Sequence, residues 1–142
     1  MTNSSISPLL RQRITKLARH RCGYCLRSEE LMGMPLTIDH LIPQAKGGSS
    51  EETNLWLACP ACNQFKGVQT HALDQATAEI VPLFNPREQN WADHFYWSED
   101  GSHILGKTPC GRVTVMTLKI NHPKIVVARR LWVSVGWWPL VD

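Results

Sequence analysis

The chain has 142 residues, of which 43% are hydrophobic and 19% charged, and a formal net charge of +3. That length suits one domain, or a small core with an appended module, and the composition excludes a disordered chain. The most apolar stretch, IVVARRLWVSVGWWPLV, is interrupted by Arg129 and Arg130, which excludes it as a bilayer span.

The opening MTNSSISPLL has neither a basic start nor an apolar run long enough for a signal peptide, so a cytoplasmic protein with reduced thiols is expected. Ser7 and Pro8 then read as a helix cap and first turn, with Leu10, Ile14 and Leu17 recurring at helical spacing. RCGYC is a tight turn, and LTIDHLIP (Leu36 to Pro43) a short strand. AKGGSSEE is a polar, glycine-rich loop, NLWLAC a second apolar strand, and PACNQFKG a helix opened by Pro60. The order is strand, strand, helix.

Beyond Gly67 a looser connector runs to about Pro86. NWADHFYWSEDGSHILG reads as a hairpin about Asp100-Gly101. TPCGRVTVMTLKIN opens as a helix would, but its β-branched residues also allow a strand. HPKIVVARRLWVSVG is a helix from Pro123 to a stop at Gly136. Two regions follow, residues 1–70 as a core and 71–142 as an extension. Between Gly101 and Val141 there is no acidic residue, while Lys107, Arg112, Lys119, Lys124, Arg129 and Arg130 supply cations, a pattern that suits a polyanion partner.

Cys22-x2-Cys25 and Cys59-x2-Cys62 form two pairs separated by 33 residues. Two-residue spacing lets both sulfurs of a pair address one tetrahedral metal, and two such knuckles complete a four-thiolate structural zinc site. Zinc would then hold both ends of the intervening strand-and-loop unit, which so small a core needs. Cys110 has no partner at ligand spacing and is expected to be a plain thiol.

Asp39 and His40 sit inside an otherwise apolar strand. A buried carboxylate beside an imidazole needs a compensating cation or hydrogen-bond network. Four thiolates fill the zinc shell, so another cation is expected. Oxygen ligands suit Mg²⁺ or Mn²⁺, and Asn63, on the helix after the second knuckle, can add an amide oxygen.

The ordered pieces Cys22-Gly-Tyr-Cys25, Ile38-Asp39-His40, Gly47-Gly48, Asn54-Leu55 and Cys59-Pro-Ala-Cys62-Asn63-Gln-Phe-Lys66-Gly67 resemble the HNH endonuclease family, whose core is the ββα-metal fold. The resemblance implies that His40 is the general base, that Asp39 and Asn63 are ligands of a catalytic Mg²⁺ or Mn²⁺, and that Asn54 orients the histidine and its loop. Asn63 stands where the family name has a second His. Lys66 falls at a basic position of the motif, which implies a phosphate contact. The region from about Leu83 onward, with its FNPR, NW, HF and GR segments, resembles an extension carried by some bacterial members.

The combined expectation is an α+β protein: a ββα-metal core braced by a four-cysteine zinc site, an N-terminal helix, and a C-terminal hairpin with helices. Its expected activity is metal-dependent hydrolysis of DNA phosphodiester bonds. Histidine titrates near neutrality and can serve as the base, while a dication stabilises the departing oxygen. Lys66, Arg112, Arg129 and Arg130 are expected to contact DNA phosphates. Double-strand cutting by one small site would call for a homodimer. The competing reading is a zinc-stabilised nucleic-acid-binding module without catalysis, which would have no use for Asp39, His40 and Asn63 together.

Overall fold

The computed structural model describes residues 6–140. They form an α+β fold of six helices and three two-stranded antiparallel sheets, with two short 3-10 turns. Two compact units emerge: residues 6–70 with Asn85–Gln89, and His71–Phe84 with residues 90–140. No helix among the described residues is long and apolar enough to cross a membrane.

In the first unit, α1 spans Pro8–Leu17, where the Ser7 hydroxyl accepts from Leu10 N–H at 3.1 Å and Pro8 occupies the first turn. Ile14 is fully buried on its inner face. The CGYC turn follows, then a short helix α2 (Glu29–Met32) capped by the Ser28 hydroxyl. Strand β1 (Thr37–His40) pairs antiparallel with β2 (Leu55–Ala58) in the register Thr37↔Ala58 through His40↔Leu55. Leu36, Ile38, Leu55 and Leu57 are buried there. Helix α3 (Pro60–Lys66) starts at Cys59, whose sulfur accepts from Cys62 N–H. The chain thus has the strand–strand–helix order expected from its sequence.

The loop between β1 and β2 folds tightly on itself. Gly47 has φ +87°, and a Cβ at Gly48 would lie 1.7 Å from the Ile42 carbonyl oxygen, so only glycine fits there. Residues 85–89 return to this unit: Arg87 Nε donates to the Leu55 carbonyl at 3.2 Å, and its guanidinium lies 5.2 Å over the Trp56 ring.

The second unit contains the hairpins β3 (His71–Asp74) with β4 (Glu79–Pro82) and β5 (Phe95–Trp97) with β6 (Ile104–Gly106). Helices α4 (Trp91–His94), α5 (Pro109–Thr117) and α6 (Pro123–Ser134) complete it. The first hairpin occupies what the sequence suggested was a connector. The segment from Asn90 begins with a helical turn before its strand. The ambiguous TPCGRVTVMT stretch is helical, capped by the Thr108 hydroxyl accepting from Gly111 N–H at 3.0 Å. Its core is aromatic: Phe84, Phe95, Trp91, Trp97, Trp138 and Trp132 meet in successive ring contacts of 4.9–5.4 Å.

Candidate metal centre and active site

Cys22, Cys25, Cys59 and Cys62 are all buried, and their sulfurs lie within 4.8 Å of one another. The Cys25 and Cys59 sulfurs are 3.7 Å apart, far beyond a disulfide bond. Four sulfurs at about 2.3 Å from a tetrahedral zinc are separated by roughly 3.8 Å, so the cluster fits a structural zinc ion. Burial pushes the Cys22 thiol up, and a divalent cation is what would let such a buried set ionise together. Arg27, not singled out by the sequence reading, donates from Nε to Cys25 Sγ at 3.2 Å and from Nη2 to Cys59 Sγ at 3.0 Å. One guanidinium therefore bridges the two knuckles. Cys110 is half-buried and lies outside the cluster.

The cysteine cluster fixes α3 beside the hairpin. From that helix Lys66 reaches across to Asp39. Its ammonium donates to Oδ1 at 3.0 Å and Oδ2 at 3.1 Å, and also to the carbonyls of His40 and Leu41. The Tyr24 hydroxyl donates to Asp39 Oδ2 at 2.6 Å, and burial, then Asp39's charge, pushes that phenol up so that it keeps its proton. Two sequence-based expectations change here. Lys66 and Tyr24 compensate Asp39 here, so a ligand role for the carboxylate would require it to exchange Lys66 for the metal. Lys66 is not a phosphate contact, because it is 2% exposed and all of its donors face inward.

His40 ends β1 on the opposite face from Asp39, as alternation along a strand requires. It is half-exposed, and its Nε2 lies 3.0 Å from the Ser50 hydroxyl. Partial burial holds its imidazole below the usual value; Asp39 opposes that effect and Lys66 adds to it. The hydrogen bonds of Asn54 go to the loop rather than to the ring. Its Oδ1 accepts from Ile42 N–H at 2.8 Å, while Nδ2 donates to the Ile42 carbonyl at 3.0 Å and the Ser49 carbonyl at 2.8 Å. It therefore ties both ends of the 42–49 loop, and Ser50, next in the chain, is the residue that contacts His40. Asn63 is half-buried on α3, three residues before Lys66 and so on the same helix face.

The expected phosphate contacts in the second unit also separate. Arg129 is fully buried. It donates to the Ser102 carbonyl at 3.0 Å, Asn121 Oδ1 at 2.9 Å and the Ile120 carbonyl at 2.7 Å, so it is a structural residue and not a DNA contact. Arg112 forms a fork onto Asp74 at 3.1 and 3.0 Å and holds that carboxyl down at about 2. Arg130 keeps its charge outside, 58% exposed and 3.9 Å from Asp100.

Residues 22–69 match the HNH endonuclease family model. The match covers about a third of the chain and contains both cysteine pairs, β1, β2 and α3. The first unit of this α+β protein therefore carries an HNH endonuclease domain with a four-cysteine cluster fit for zinc. Searches of curated proteins and of solved structures find no significant match.

Proposed function

We propose that the protein is an endonuclease that hydrolyses DNA phosphodiester bonds, with His40 as general base. The observation that carries this reading is the state of His40. It is a partly exposed imidazole at the end of β1, its Nε2 3.0 Å from the Ser50 hydroxyl, beside a carboxylate locked away by Lys66 and Tyr24, and partial burial lowers its pKa. A neutral imidazole can take the proton of an attacking water. Ser50 orients the ring, and Asn54 positions Ser50 by closing the loop. The zinc cluster has a structural part only.

A Mg²⁺ or Mn²⁺ ion would supply positive charge at the departing oxygen. Asn63 offers a carboxamide for it, and Asp39 can join only by exchanging Lys66 for the metal. That same ion pair favours a second reading, a zinc-stabilised DNA-binding module without catalysis. Nicking of supercoiled plasmid by the purified chain, with Mg²⁺, Mn²⁺ or EDTA, separates the two. Nicking that disappears in His40→Ala, with fold and zinc content retained, is expected. The rate should persist below the ordinary imidazole pKa and fall only as pH passes His40's lowered value. Undiminished nicking by His40→Ala removes the mechanism, and no nicking by wild type under any metal leaves the binding module.

A further inference from the structure

Lys66 in the first unit is buried, so a phosphate backbone at that unit would have to meet other, exposed cations. Residues 6–28 contain no acid and six cations: Arg11, Arg13, Lys16, Arg19, Arg21 and Arg27. The structure sorts them. Arg27 faces the cysteine sulfurs. Arg13, Lys16 and Arg19 are exposed at intervals of three residues along the outer face of α1 and the turn that follows it, opposite the buried Ile14 and Ala18.

One ion pair ties the first of these positions to the segment beside the candidate base. Arg13 on α1 pairs with Glu52, in the 3-10 turn that ends at Asn54 and lies two residues after Ser50. The same short segment therefore holds α1 on one side and contacts the His40 ring on the other. The helix face carries cations and no carboxylate of its own, and Glu52 engages it only at Arg13.

We infer that the outer face of α1 and the turn after it, through Lys16 and Arg19 with Arg13 beside them, is the surface on which this unit holds the DNA backbone. The contact is electrostatic and independent of base sequence, since phosphate contacts position a duplex without reading it. The inference takes from the nuclease reading only that DNA is the polyanion.

The test is binding of the full zinc-loaded chain to a labelled duplex in EDTA-free buffer without Mg²⁺ or Mn²⁺, as a function of salt. Each phosphate contact contributes about 0.9 to the slope of log affinity against log salt. Lys16→Gln with Arg19→Gln should flatten that slope by about 1.8 and weaken binding at low salt, with thermal unfolding unchanged. If the double variant is destabilised, Lys16→Gln alone should flatten it by about 0.9. Binding with an unaltered slope overturns the inference, as does absence of wild-type binding at low salt. A flattened slope together with no plasmid nicking under any metal would keep this surface and discard the nuclease reading.

Discussion

The Lys66 ammonium lies 3.0 and 3.1 Å from the two carboxylate oxygens of Asp39, with neither side chain more than 4% exposed. The pair joins α3 to β1, and the additional bonds from Lys66 to the His40 and Leu41 carbonyls fix the point where β1 ends. A buried ion pair satisfied in this way is weak evidence of net stability, but removing one partner is costly because it leaves the other charge buried.

The first prediction follows directly. Lys66→Met leaves Asp39 with only the Tyr24 phenol, and should cost about 3–5 kcal/mol. Lys66→Met combined with Asp39→Leu should recover much of that loss, since no buried charge then remains unpaired. Urea unfolding of the zinc-loaded chain and its three variants closes the double-mutant cycle. Equal, additive losses from the two single variants would mean that the pair is not coupled.

The local half of this arrangement was legible in the sequence and the long-range half was not. Pro8, Pro60, Pro109 and Pro123 each open a helix, because proline suits the first turn and the residue before it supplies a cap. Cysteine spacing reported the cluster because zinc geometry fixes the spacing. That Lys66 reaches Asp39 across 27 residues has no such local signature: an exposed and a buried helical lysine look alike in sequence. The β3–β4 hairpin escaped notice for another reason. Its turn places Ala78, not glycine or asparagine, at φ +62°, and Leu73 and Ile80 stay largely exposed, so neither turn chemistry nor a buried alternation marked it. In α5, Val113 and Thr114 have the β-branched character of a strand, but their burial together with the Thr108 cap decides for helix.

Arg129 illustrates how a charge tract in sequence can mislead. Its three bonds satisfy the Ser102 and Ile120 carbonyls and Asn121, which itself clamps Ile104 through both its amide atoms. Arg129→Met removes these donors from buried acceptors and should destabilise the second unit by about 3 kcal/mol or more, measured by thermal or urea unfolding. At a temperature where the variant is folded, its DNA affinity and salt slope should match wild type. A change in salt slope without a change in stability would restore Arg129 to the DNA surface.

The last prediction concerns Arg27 and the cysteine cluster. Four thiolates around Zn²⁺ carry a net charge of −2, and a guanidinium shared between Cys25 and Cys59 offsets part of it while tying one knuckle to the other. Loss of such an outer partner typically costs metal sites about 10–100-fold in affinity. The purified chain should contain one zinc by elemental analysis, and Arg27→Ala should surrender it to a colorimetric chelator at a lower chelator concentration, with unfolding of the first unit following metal loss. Arg27→Lys should fall between the two, because a single ammonium cannot present the planar fork that reaches both sulfurs. Zinc release from Arg27→Ala that coincides with wild type at every chelator concentration would show that the guanidinium contributes nothing to holding the metal.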